Sequence, residues 1–168
     1  ASLMISYAIV FEADFSDQAG RRLHQGPFQR PFAETVGAYV ISLSVAALVG
    51  CSWCLDYGYF HAHNEGLDEV KASEVPRWRE STVFTPLERD VMEYAEAMSE
   101  TPPRVTDELS ARLLDQLGAP AMVELTALVA LQNMSTRSNT ALGIEAQGFS
   151  EACRLPLAQP SAGCATSA

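Results

Sequence analysis

Apolar and polar positions alternate with a helical period along most of the chain, and no stretch shows the two-residue alternation bounded by hairpin turns that marks strands. Residues 33–49 are helix-compatible and apolar almost all round, the pattern of an element enclosed by others rather than lying on a surface. Gly50 interrupts this helix, and residues 54–64 continue as a second one, stopped by Gly66 in the left-handed capping position, with a short amphipathic stretch at 67–73 after it. Pro76 and Trp78-Arg79-Glu80 read as a connector. Thr85-Pro86-Leu87-Glu88 is a strong helix start, with Thr as cap, Pro at the first helical position and Glu three residues on. That helix runs to Ser99 with Leu87, Val91, Tyr94, Ala95 and Met98 on one stripe and Glu88, Asp90, Glu93 and Glu96 on a solvated face. Pro102-Pro103 ends it. Thr106-Asp107-Glu108 opens another helix, closed by Gly118, and residues 119–142 form a long apolar helix that turns polar between Asn133 and Asn139. The expected fold is all-α, a helical bundle in one domain over residues 1–155. Residues 1–32 have no clear structure, and a Pro-, Ser- and Ala-rich tail at 156–168 is expected to be disordered.

Charge narrows the partners. Eleven basic against 21 acidic side chains leave a net charge of -10, a field that repels phosphate backbones and anionic lipid and argues against nucleic-acid binding. Residues 35–55 carry no charge and approach the roughly 20 residues that cross a bilayer. Gly37, Ser42, Ser44 and Gly50 interrupt them and no basic cluster flanks them, so a buried core helix with no membrane contact is the expectation. Residues 3–11 are apolar but lack the basic start and the small-residue cleavage pattern of a signal peptide. Four cysteines, at 51, 54, 153 and 164, are too few and too unevenly spaced for a secreted disulfide scaffold, which favours the cytoplasm.

Cys51-Ser-Trp-Cys54 carries the strongest chemical signal. Two sulfurs one helical turn apart reach bonding distance, and a helix N-terminus favours thiolate, so the pair can cycle between dithiol and disulfide. Metal binding and inert buried thiols are the alternatives for an isolated CxxC. A zinc set of Cys51, Cys54, His61 and His63 needs the chain to fold back on itself, which a continuous helix from 54 to 63 prevents. Cys153 and Cys164 read as bystander thiols.

The run Val45-Ala-Ala-Leu-Val-Gly-Cys-Ser-Trp-Cys-Leu-Asp56, together with Gly66, Trp78-Arg79-Glu80-Ser81, the stretch 84–96, Arg137-Ser-Asn-Thr-Ala-Leu-Gly143 and Gly148-Phe149, resembles the carboxymuconolactone decarboxylase and AhpD-like alkylhydroperoxidase family over residues 39–149. The resemblance implies a compact helical unit that assembles as a dimer, trimer or hexamer. It also implies a mechanism in which Cys54 attacks a hydroperoxide and Cys51 resolves the sulfenic acid as a disulfide, restored by a thiol reductant. It implies no organic cofactor and no metal. The chain departs from the peroxidase pattern at two positions of its proton relay, where Gly58 stands in place of a His and Tyr39 in place of a Glu.

Other groups are candidate relay or substrate contacts. His61 returns to nearly the face of Cys54, but about 10 Å away along the axis; it reads as base or substrate contact, or as a solvated histidine. Tyr57 and Tyr39 are candidate phenol donors, or tyrosines that each satisfy one hydrogen bond. Arg137 and Asn139 are candidate contacts, or groups that cap a helix end and pair with an acid. Trp53 and Trp78 read as core or pocket wall, and Asp56 as a local cap. The leading expectation is a thiol-dependent oxidoreductase acting on a hydroperoxide or disulfide. A second is a non-redox lyase or isomerase for a small organic acid, using Tyr39, Tyr57, His61 or Arg137. A third is a redox-sensing oligomeric scaffold.

Overall fold

The computed structural model describes residues 37–159. Among these the order is α1 Ala38–Val49, α2 Ser52–Asn64, α3 Glu69–Glu74, a single 3₁₀ turn Val75–Arg77, α4 Pro86–Ser99, α5 Asp107–Ala141, and a closing 3₁₀ turn Phe149–Ala152, with no strand. The expectations for residues 1–32 and the first residues of the predicted helix at 33–49 lie outside the described residues.

The central helix is α1, packed against α2, α4 and α5. Its residues alternate sides of the core: Ile41 and Val45 meet Val91, Leu113, Leu125 and Val129 from α4 and α5, while Val40 and Leu43 meet Tyr59, Val75, Phe84 and Met92. An apolar helix with no polar stripe is what a sequence must supply for burial from several directions. At twelve residues it spans about 18 Å, too short to cross a bilayer. By length and composition alone, α5 is the described helix that could cross one; Gly118 breaks it, with φ 76 and ψ 163, and Pro120 opens the second arm. The two arms are therefore the two predicted helices, joined without a loop.

At Thr85 the capping box is complete: Thr85 Oγ1 accepts from Glu88 N and Glu88 Oε2 accepts from Thr85 N at 2.7 Å. The acidic face of α4 corrects the sequence expectation of solvation. Glu88 is buried and pairs with Lys71 Nζ at 2.7 Å. Glu96 accepts from Trp78 Nε1 at 2.7 Å and pairs with Arg79, whose guanidinium lies 4.3 Å over the Trp78 ring. Asp90 pairs with Arg112, and only Glu93 stays largely exposed. The connector at 75–81 docks across this face, and periodicity on α4 alone carries no trace of it.

The start of the predicted tail is also held. Tyr59 OH donates to Leu155 O at 2.8 Å, Ala158 N donates to Ser73 O at 2.9 Å, and Leu157 packs on the core. These bonds to a side chain of α2 and the backbone of α3 fix a segment whose composition reads as disordered; residues 160–168 lie outside the described residues.

Candidate functional site: a disulfide at a helix start

Gly50 ends α1 in the left-handed conformation, φ 76, which an L side chain rarely adopts, and both Gly50 N and Cys51 N donate to Ala46 O at 3.0 Å. The chain turns there within two residues. Cys51 becomes the N-cap of α2, its sulfur accepting from Cys54 N at 3.2 Å. The helix thus starts two residues earlier than predicted, because sulfur supplies the cap. Cys51 and Cys54 are joined as a disulfide with Cα atoms 5.3 Å apart. Cys51 is 1% exposed and Cys54 9%, so the second cysteine is the less deeply buried of the two.

One segment distant in sequence, residues 139–146, closes over the pair. Asn139, near the end of α5 and itself buried, donates from Nδ2 to Cys54 Sγ at 3.5 Å. Ile144 packs with Ala46, Trp53 and both cysteines. Ala146 N donates to Ser52 Oγ at 3.2 Å.

The anchor of this strap is Asp56. It is 4% exposed, and its carboxylate accepts from the backbone N–H groups of Gln147 (2.8 Å), Gly148 (2.9 Å), Phe149 (3.1 Å) and Ser150 (2.8 Å) and from Ser150 Oγ (2.7 Å). Burial by itself raises its pKa, but the bonds from Ser150, Gln147 and Phe149 outweigh that and hold the carboxyl below its ordinary value. The expected local cap is therefore a long-range one. Acids rarely carry a sequence signal for partners more than ninety residues away.

Aromatic rings lead outward from the sulfurs. Trp53, 1% exposed, stacks on Tyr57 at 5.0 Å; Tyr57 stacks on exposed His61 at 6.3 Å and meets Phe149 edge-on at 5.6 Å. The Trp53 indole N–H is buried with no hydrogen-bond acceptor among the described residues, an uncommon state for such a donor.

Of the candidate residues, Cys51, Cys54, Tyr57 and Asn139 come together. His61 sits at the outer end of the ring column. Tyr39 packs in the separate cluster of Val40, Tyr59 and Trp78; burial, then the fields of Asp68 and Glu88, push its phenol up to about 12, which leaves it protonated at neutral pH. Arg137 donates to Ser99 O and Asn133 Oδ1. It caps the last turn of α4, and among the described residues it pairs with no acid. A Cβ at Gly58 would lie 3.3 Å from Leu43 Cδ2, so a larger side chain at the relay position requires the Leu43 side chain on α1 to shift. Cys153 is not a loose bystander: it packs on the core cluster around Tyr59, and burial, then Glu69 and Asp56, push its thiol up.

Residues 39–97 match the model of the carboxymuconolactone decarboxylase family. Residues 1–57 match a family described as "Putative integral membrane protein (DUF2391)"; its described part, from residue 37, is α1 and the beginning of α2. The chain is 41% identical over 117 residues to the uncharacterized protein YnjA of Escherichia coli (strain K12), covering 70% of this chain and 63% of that one. It therefore spans less than two thirds of that relative's length. It is 27% identical over 105 residues to the uncharacterized protein YdfG of Bacillus subtilis (strain 168), covering 62% of this chain and 71% of that one. A crystal structure of a protein of unknown function from Agrobacterium tumefaciens, described as "Putative Antioxidant Defence Protein AhpD", superposes with a TM-score of 0.62 at 20% identity, over 84% of this chain and 90% of that one. Over residues 39–97 the chain thus resembles the carboxymuconolactone decarboxylase family, and the helical fold built around that segment is the AhpD-like one.

Proposed function

We propose that the chain is a thiol-dependent oxidoreductase that reduces hydroperoxides through Cys54 and Cys51. The observation that carries this is the bonded pair itself: two sulfurs at the first turn of α2, the outer one touched by an amide donor. A helix N-terminus and a hydrogen-bond donor both favour the thiolate form of Cys54 once the pair is reduced. The thiolate attacks the distal peroxide oxygen, the O–O bond breaks, and the alcohol leaves with a proton, giving a sulfenic acid on Cys54. Cys51 then displaces water from that sulfur and closes the disulfide. A small thiol or a dithiol protein returns two electrons and two protons. Asn139 supplies a hydrogen-bond donor at Cys54 Sγ for a departing or bound oxygen.

The AhpD-like description of the Agrobacterium structure supports this reading. Gly58 and the protonated Tyr39 remove the family relay, so the reaction is expected to be slow without a general base beside the sulfur. Of the alternative contacts for the non-redox reading, Tyr57 and His61 stack on each other while Tyr39 packs in a separate cluster and Arg137 donates to Ser99 O. Titrating the reduced chain with an organic hydroperoxide is the test. One equivalent of alcohol should form per chain while Cys51 and Cys54 lose two hydrogens by mass. Thiols that remain reduced under excess hydroperoxide would overturn the proposal.

Asn139 makes a sharper expectation. A hydrogen bond to a charged acceptor is worth about 1.5–3 kcal/mol, which corresponds to roughly one to two pH units in the acceptor's titration. In a Cys51→Ser background, Asn139→Ala should slow alkylation of Cys54 at neutral pH by about tenfold or more, and the two chains should converge at high pH where both are thiolate. Equal rates at neutral pH would remove Asn139 from the site.

A further inference from the structure

A second cluster of ligating side chains lies apart from the disulfide. His63 from the last turn of α2, Glu69 from the first turn of α3, and Cys153 just after the closing 3₁₀ turn bring one nitrogen, one oxygen and one sulfur within 4.8 Å of one another. His63 Nδ1 is 3.4 Å from Glu69 Oε1. All three residues are half-buried, neither sealed from an entering ion nor freely solvated.

The geometry points to a divalent transition-metal site, with zinc the ion that this donor set fits best. Thiolate and imidazole select zinc over magnesium or calcium, and a three-residue set leaves a fourth tetrahedral position for water. The present separations exceed those of bound ligands by an ångström or so, a gap that side-chain rotation closes. The outer contacts suit the role. Glu69 Oε2 accepts from Arg154 Nε at 3.1 Å, and Oε1 accepts from Arg154 N at 2.7 Å and Leu155 N at 3.3 Å. These bonds orient the carboxylate as supporting groups orient a metal ligand. Binding releases the Cys153 thiol proton to solvent, and neutral His63 turns a ring lone pair to the ion.

What the ion would do follows from where the ligands sit. It would join α2 and α3 to the strap that covers the sulfurs, without touching either sulfur of the pair. The inference does not rest on the peroxidase reading.

The test uses the full chain with its Cys51–Cys54 disulfide closed, so that the dithiol cannot itself bind metal, and titrates zinc calorimetrically. One equivalent should bind, and the thermal midpoint should rise with it. Cobalt in place of zinc should show a thiolate charge-transfer band. Cys153→Ser and His63→Asn should each weaken binding by at least about tenfold and abolish the cobalt band or shift its position, while Cys164→Ser leaves both unchanged. Circular dichroism confirms that each variant is folded before it is scored. No binding to the oxidised chain, or binding unaffected by Cys153→Ser, would overturn the assignment.

Discussion

Cys54→Ser is expected to stop hydroperoxide turnover, whereas Cys51→Ser lets the first attack proceed and stops the cycle one step later. The difference in exposure sets the order: Cys54 is at 9% and Cys51 at 1%, and only the outer sulfur has the Asn139 amide against it. Serine in place of Cys54 has neither the low pKa nor the polarisability of a thiolate, and removing a nucleophile costs on the order of a thousandfold or more. In Cys51→Ser the sulfenic acid has no neighbouring thiol to condense with. It should accumulate as one added oxygen by mass and react with a sulfenic-acid-selective dione. Turnover with a small-thiol reductant should persist weakly in that variant, since an external thiol can resolve the intermediate. Wild-type turnover in Cys54→Ser, or sulfenic acid forming on Cys51, would reverse the assignment.

Asp56→Ala is the second large expected effect, and it is one of stability. Five hydrogen bonds converge on this carboxylate, four from consecutive backbone N–H groups. Alanine leaves those donors without an acceptor; water can reach part of the loop, so the loss is below the sum of five charged bonds and comes to about 3 kcal/mol. For a chain of this length that lowers the melting temperature by roughly 6–12 °C. The pH dependence has a definite sign. The folded pKa lies below the unfolded one, so the contribution is fully present above the ordinary Asp range and is lost as pH falls through the folded value. Thermal melts of wild type and Asp56→Ala should therefore differ most near neutral pH and converge in acid. A constant gap across that range would show that the carboxylate is not the source.

Elements set by local chemistry were legible in the sequence. Thr85 and Glu88 form the expected capping box, Gly66 carries the expected left-handed turn, and Gly118 separates the two predicted arms of α5. The apolar stretch before the cysteines emerged as the central helix for the same reason. What stayed hidden was set by contacts distant in sequence. Nothing near Asp56 announces that it holds residues 147–150, and nothing near Glu88 or Glu96 announces a docked connector. His63 is near Cys51 and Cys54 in sequence, yet it meets Cys153, ninety residues on. The Cys51 cap moved the start of α2 because sulfur is an unusual capping acceptor and is not among the residues that normally signal one.

The strap over the sulfurs also bears on when the chain acquires its chemistry. The motif is complete once residue 54 has been made, but its amide donor, its apolar cover and the anchor's partners come from residues 139–150. Closing a loop of that length is among the slower steps for a helical chain. Until it closes, the two thiols are ordinary, solvent-accessible and open to indiscriminate oxidation. On the proposed function, controlled reactivity is thus expected of the finished tertiary structure and not of a nascent or partly unfolded form that already contains the four-residue motif.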